Sequence, residues 1–295
     1  MSRSLFTDLL LILALSLGPA KAEPSSWNQF RGPGGSGVAK ECQPPVKIDA
    51  NCLAWKTELP PGLSSPALSN DRIFLTAIDD GRLVTLAYDK TTGDLLWRKE
   101  APEVEIAKVH KANNPASPSP LVDGQHVIVY FGSFGLLCYD HDGKEIWNKP
   151  LATPKSLYGA STSPIHYQDN LILVLDNDAN LEGSKLSQSK ILCLKKATGK
   201  PVWEAQRPIL RSGWSTPAIW RHENGVELVV LGSGRVVSYD PDSGDEKWFA
   251  TGFSRETVAM PVQGNGQIYL SCAQPGCGAD GQAAPKPVRT SGQPR

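Results

Sequence analysis

The sequence has no surplus of either charge. Its 30 basic and 30 acidic residues give a formal net charge of +0, which removes the field that would draw in nucleic acid or an anionic membrane. The five histidines include no His-Glu-x-x-His or other close pair, and the six cysteines include no Cys-x-x-Cys and no haem-type Cys-x-x-Cys-His. Zinc and covalent haem are therefore disfavoured. A Gly-x-Ser-x-Gly elbow is missing too, and with it the main cue for a serine hydrolase. Beyond residue 22 no stretch reaches the ~18 apolar residues of a membrane-crossing helix. What remains is a globular composition, 40% hydrophobic over 295 residues, enough for a sizeable core.

Residues 1–22 read as an export leader. Arg3 supplies positive charge, Leu9 to Leu17 form a short apolar stretch, and Ala20-Lys21-Ala22 offers small residues at a cleavage site. The mature chain is then expected to start at Glu23, with an entry segment over 23–50, no cysteine for lipid attachment and no integral membrane segment after cleavage.

A short signature recurs along the remainder: a strand, a turn ending in Gly, then Trp four residues later. It occurs as Gly93 to Trp97, Gly143 to Trp147, Gly199 to Trp203 and Gly244 to Trp248. Trp55, with Asn51 at the glycine position, reads as a degenerate fifth copy, because Asn also tolerates left-handed geometry. Successive repeat tryptophans (55 to 97, 97 to 147, 147 to 203, 203 to 248) lie 42, 50, 56 and 45 residues apart, the period of a four-stranded propeller blade. Short β-rich runs such as Arg72 to Ala77 and Leu83 to Tyr88, separated by Asp-Gly or Thr-Gly turns, exclude a helical repeat.

A second marker opens each blade: Ser65-Pro66, Ser119-Pro120, Ser163-Pro164, Thr216-Pro217 and Met260-Pro261. Proline lacks a ladder N–H and suits the free edge of an innermost strand, so the residues just before these prolines are candidate channel-lining positions. The third strands align Ala87, Cys138, Cys193 and Ser238 at one small-residue position, which makes the two cysteines buried thiols of different blades. Only Cys42 with Cys52, and Cys272 with Cys277, are left as candidate local bridges.

The run Ala87-Tyr88-Asp89-Lys90-Thr91-Thr92-Gly93-Asp94-Leu95-Leu96-Trp97 resembles the tryptophan-docking repeat of quinoprotein-like propellers, the pyrroloquinoline quinone (PQQ) type. Trp27-Asn28-Gln29-Phe30-Arg31-Gly32-Pro33 resembles the opening of exported members of that superfamily, which includes PQQ-dependent alcohol dehydrogenases and the scaffold that helps assemble outer-membrane barrels. The resemblance implies an all-β propeller of four-stranded blades. Members commonly close about eight blades of about 45 residues, whereas this chain has four full repeats and a partial blade within residues 51–273, followed by a Gly/Pro-rich tail over 274–295 expected to be disordered. Cys52 to Thr57 is placed to supply an outer strand to the last blade, which lacks at least one. An open blade edge invites self-association.

Several residue groups are site candidates. Gly32-Pro33-Gly34-Gly35-Ser36-Gly37 matches G-x-G-x-x-G but leads into no helix, so it reads as an entry loop and not as a nucleotide site. Asp176, Asp178 and Asn180, with Glu182, alternate oxygen ligands as a calcium loop does, although Leu181 stands where an EF-hand needs Gly and Asp and Asn also serve turns. Loops containing His110, Asn113 and Asn114, and Arg211 and Trp214, precede two blade openings and are candidate ligand surfaces, with Ser119 and Ser163 at the channel. The resemblance implies for a dehydrogenase an adjacent Cys-Cys pair and an acidic base beside calcium, and neither can be matched here. The leading reading is an exported, non-catalytic propeller that binds a protein, glycan or small molecule. Its rivals are a PQQ- and calcium-dependent alcohol or sugar dehydrogenase and a truncated, degenerate copy.

Overall fold

The structure, a computed structural model, describes residues 27–39, 42–69 and 71–272. The predicted leader over 1–22 and the predicted tail over 274–295 lie outside them. The described residues form the expected incomplete all-β propeller. Blade one is β1 (Ala67–Leu68), β2 (Arg72–Asp79), β3 (Arg82–Asp89) and β4 (Leu95–Glu100); blade two is β5 (Leu121–Val122), β6 (Val127–Phe131), β7 (Gly135–Tyr139) and β8 (Glu145–Pro150). Blade three is β9 (Ile165–Tyr167), β10 (Asn170–Leu175), β11 (Lys190–Lys195) and β12 (Pro201–Gln206); blade four is β13 (Ala218–His222), β14 (Gly225–Gly232), β15 (Arg235–Tyr239) and β16 (Glu246–Thr251). A fifth sheet holds only β17 (Val262–Gly264) and β18 (Gln267–Tyr269). All strand pairs are antiparallel meanders, and the hairpin turns carry the residues that allow positive φ, such as Asp80-Gly81 and Asn265-Gly266.

Alternation along each strand builds the core between blades, because successive side chains point to opposite faces. In β6, Val127, Val129 and Phe131 pack toward Phe74 and Ala87 of blade one, while Ile128 and Tyr130 pack toward Leu171 and Leu173 of blade three. Ile172, Val174 and Cys193 then meet Leu228, Val230 and Val237 of blade four. The outermost strands are the exposed ones.

The repeat signature has a direct structural meaning. Each repeat Trp lies on the Gly of the next blade: a Cβ added to Gly93, Gly143, Gly199 or Gly244 would fall 2.4, 2.9, 2.8 or 2.6 Å from the ring of Trp55, Trp97, Trp147 or Trp203. These glycines also hold φ between 64° and 82°, a region L side chains avoid. The indole N–H then donates to a carbonyl of that same turn, from Trp55 to Lys90 (2.9 Å), Trp97 to His141 (2.8 Å), Trp147 to Lys196 (2.7 Å) and Trp203 to Pro241 (3.1 Å). Opposite the tryptophan in its own sheet stands the small residue: Ala87 pairs with Trp97, Cys138 with Trp147, Cys193 with Trp203 and Ser238 with Trp248, and the register shifts at the next residue in all four. Among the described residues no following turn covers Trp248, and its N–H goes instead to Glu227 of its own sheet (2.6 Å).

Three expectations need correcting. Asn51 does not adopt left-handed geometry; it sits in a 3₁₀ turn, Ala50–Cys52, capped by Asp49, whose carboxylate accepts the Asn51 N–H at 3.0 Å. Cys42 and Cys52 stand as separate exposed thiols, with Cys52 turned back toward the Lys47 carbonyl. The other candidate bridge involves Cys277, outside the described residues. Nor is the inner rim open as expected. The Trp27 and Asn28 carbonyls accept the N–H groups of Leu68 (2.7 Å) and Val122 (2.8 Å), and the Gln29 side chain accepts that of His166 (2.9 Å), so the opening segment straps the first strands of blades one to three.

Two outcomes follow from these contacts. Trp147→Ala should lower stability by about 3 kcal/mol, the lower end for a large ring because Trp147 is half-buried, and Trp248→Ala should cost clearly less, since no turn covers it; urea midpoints at constant slope compare the two. Burial pushes the Cys193 thiol up to about 12 and the Cys138 thiol higher still, so both should resist alkylation until the protein unfolds, as mass mapping with and without denaturant would read.

Candidate functional site

In an antiparallel meander the loops entering each first strand lie at the same end of the blade as the turn between its second and third strands. Three entry loops, of blades two, three and four, meet there in an aromatic row. The His110 ring stands edge-on to Tyr158 with centroids 4.8 Å apart, and Tyr158 stands edge-on to Trp214 at 5.0 Å, the geometry that aromatic quadrupoles favour. Trp214 donates to the Gly159 carbonyl at 3.0 Å, and Asn113 donates to the Tyr158 carbonyl at 2.9 Å. Gly159, at φ 92°, lets two of the loops approach closely, because a Cβ there would lie 2.4 Å from Val109. His110 and the neighbouring Lys108 and Lys111 are exposed, Tyr158 is half-buried, and Trp214 is 7% exposed. The structure thus brings His110, Asn113 and Trp214 together and adds Tyr158. Tyr158 is not among the sequence candidates, although Ser163-Pro164 marks its loop as an entry loop like the others.

The side-chain oxygens of the two asparagines are used within their own loop. Asn113 accepts from Ser117 (2.5 Å) and the Asn114 N–H (2.9 Å), while Asn114 accepts the Ala116 N–H (2.8 Å). Arg211 is a clamp on the turn between β10 and β11: it donates to the Asp178 carbonyl (2.5 Å), the Asn180 side chain (2.7 Å) and the Lys185 carbonyl.

That turn is the one read as a calcium loop, and its oxygens do not converge. Asp178 accepts the Ser212 N–H (2.8 Å) and the Ser212 hydroxyl, Asn180 faces Arg211, and Asp176 faces Arg207 at 3.6 Å. Among the described residues no cluster of three or more His, Cys, Asp or Glu side chains is arranged around a metal position. A cation among these oxygens would also sit beside two guanidinium groups, so the residues do not fit calcium. They offer PQQ no adjacent cysteine pair either.

The Asp176–Arg207 pair is the most deeply buried charge in the fold, with side chains 2% and 0% exposed. Burial raises the Asp176 carboxyl despite the cation beside it, and the three guanidinium nitrogens have no protein hydrogen-bond partner. Removing one member would strand the other.

Ser119 and Ser163 are buried at 1% and 2% exposure and form a hydroxyl ladder around the inner rim. The Ser65 N–H donates to the Ser119 hydroxyl (2.9 Å), the Ser119 N–H to Ser163 (2.9 Å) and the Ser163 N–H to Thr216 (3.1 Å). Their oxygens therefore bind the neighbouring blade. At the opposite end of the strands, between blades two and three, Lys196 joins Asp123 (2.9 Å) and His166 (2.9 Å), and Asp123 also meets His126 (2.9 Å). Burial works to raise the Asp123 carboxyl, but the Lys196 hydrogen bond, the Gln125 N–H and His126 outweigh it and hold it at about 2.

The family described as "Outer membrane protein assembly factor BamB" matches residues 46–179. Among solved structures, the fold is similar to quinohemoprotein alcohol dehydrogenase ADHIIG from Pseudomonas putida, at 16% identity and TM-score 0.56 over 79% of this chain and 41% of that one. It is equally similar to quinohemoprotein alcohol dehydrogenase from Comamonas testosteroni, at 13% identity and TM-score 0.56 over 84% and 45%. No curated protein matches. The chain thus spans less than half the length of those enzymes, and at this identity the likeness is one of fold. Sequence and fold agree on a propeller of repeated four-stranded blades.

Because a carboxyl with a lowered value stabilises the fold fully above its unfolded value of 3.8 and loses that contribution as pH falls toward about 2, acid should melt the Asp123–Lys196 junction in that window. Lys196→Met should flatten the dependence of Tm on pH there, measured by thermal scans at matched ionic strength.

Proposed function

We propose that this chain, a propeller of PQQ-type repeats, is an exported, non-catalytic binding protein that engages a partner through the loop face built on His110, Tyr158 and Trp214. The convergence of three entry loops from three successive blades carries this reading. Loops of a rigid scaffold are where recognition is placed, and this face joins exposed His110, Lys108 and Lys111 to a half-buried Tyr158 and to Leu157, which is 65% exposed. A rim of lysines around an aromatic and aliphatic centre suits a protein partner better than a small molecule, which needs an enclosing cavity. The name of the matched family, an outer membrane protein assembly factor, supports both export and a protein partner.

The dehydrogenase reading has less behind it. The acidic turn is tied to Ser212, Arg211 and Arg207, and the blade-opening hydroxyls to neighbouring backbone. Proteins sharing a propeller do not thereby share an activity.

Purified protein supplied with PQQ and calcium should give no alcohol- or sugar-dependent dye reduction above a no-protein control. Dye reduction that vanishes on chelating calcium would remove the binding reading. In a second arm, cross-linking in the native extract should trap a partner with the wild type and lose it with the double variant His110→Ala, Tyr158→Ala, at unchanged melting temperature.

A further inference from the structure

The two ends of the repeat array hold complementary halves of one blade. At the carboxyl end, β17 and β18 are a blade's first two strands, and the outer edge of β18 is unpaired in the described sheet. At the amino end, residues 46–57 carry the pattern of the other two. Asp49 accepts the N–H two residues on (3.0 Å), as Asp89 (2.7 Å), Asp140 (3.0 Å) and Asp240 (2.8 Å) do at the turn between third and fourth strands. Trp55 then docks on Gly93, as the fourth-strand tryptophans Trp97, Trp147 and Trp203 dock on the next blade. Val46 and Ile48 stand three and one residues before Asp49, where Leu86 and Tyr88, Leu137 and Tyr139, and Val237 and Tyr239 stand before their own aspartates.

Burial separates the copies. Those six third-strand residues are at most 5% exposed, whereas Val46 and Ile48 are 107% and 83% exposed, and residues 46–57 belong to no sheet. The other end shows the matching deficit: Tyr269 of β18 is 53% exposed, Val258 67% and Phe249 48%, and Trp248 lacks the covering turn that the other repeat tryptophans have. Within one chain, four complete blades separate the two halves.

We infer that residues 46–57 of one copy complete the half-blade β17–β18 of a second copy, head to tail. The turn at Asn51 of one molecule then comes up beside Trp248 of its neighbour, where Asn51, unlike the repeat glycines, carries a side chain, so the ring packs against the turn's edge and not flat upon it. Such an interface is heterologous, so it closes into a ring or propagates according to the rotation between copies. The inference is independent of the loop-face reading, since no residue of that face takes part.

Light scattering coupled to size exclusion reads the assembly directly. The wild type should form dimers or larger head-to-tail species. Val46→Asp with Ile48→Asp should weaken association by at least about tenfold, as should Tyr269→Asp, while melting temperatures hold because all three positions are exposed. Leu181→Asp, at an exposed position far from both ends, should associate like the wild type. Mixing the two end-blocked variants leaves one intact junction, and a one-to-one complex should form although neither variant associates alone. A monomeric wild type, association indifferent to both substitutions, or no complex on mixing would each overturn the inference.

Discussion

A tryptophan on the outermost strand of each blade can lie flat only where the facing residue has no side chain, and that requirement propagates through the chain. It places a glycine at positive φ in the next turn, with a ring carbon 2.4 to 2.9 Å from where a Cβ would be. It directs the indole N–H at the same turn's backbone, so one side chain both fills the groove and satisfies a polar group. It also fixes the residue across the sheet as small, because Ala87, Cys138, Cys193 and Ser238 stand directly opposite the ring. The cysteines are there for their size and not for their chemistry.

A second seam runs along the inner rim, where the constraint is polar. Proline at each blade opening removes a donor, and the residue before it turns its own N–H to the hydroxyl of the next blade's equivalent. The strap at residues 27–29 accepts further inner N–H groups, which would otherwise be buried donors without partners. Both seams end at the same place. Met260 occupies the fifth ladder position and has no hydroxyl, and Trp248 finds Glu227 instead of a turn carbonyl. That carboxylate also takes Ser238 at 2.6 Å, and although burial works to raise it, its hydrogen bonds with Ser238, Trp248 and Lys247 lower it. Blade four is thus finished by its own residues on the side where a full neighbour is missing.

The outer seam was legible because it is written in residues with few other uses. Gly followed four places on by Trp has one reading at a period near that of a blade, and it gave the number, order and strand count of the complete blades. The inner seam was only half legible: the prolines marked first strands, but a serine before a proline does not announce whether its hydroxyl faces solvent, a ligand or the next blade. Ser119 and Ser163 face the next blade, which only the relative placement of two sheets decides. The acidic turn misleads for a similar reason. Alternating Asp and Asn look the same in sequence whether the oxygens converge on an ion or are shared among Ser212, Arg211 and Arg207, residues roughly 30 positions away along the chain. Tyr158 stayed hidden because a single aromatic in a loop carries no periodicity.

These two seams also decide where function can diverge. Turns between third and fourth strands must present a glycine and a carbonyl to the tryptophan behind them, and first strands must present a hydroxyl and a proline to the rim. A change at either site costs an inter-blade contact. The entry loops carry neither obligation: they differ in length and content from blade to blade, and the contacts among His110, Tyr158 and Trp214 follow no repeat rule. Beneath them the Asp176–Arg207 pair holds the adjoining turn by charge with few hydrogen bonds, an arrangement that apolar packing would replace at little loss of stability. Entry-loop residues outside the repeat pattern, upstream of the Ser/Thr-Pro marker that carries the inner seam, are where selection for a partner can act without dismantling the scaffold.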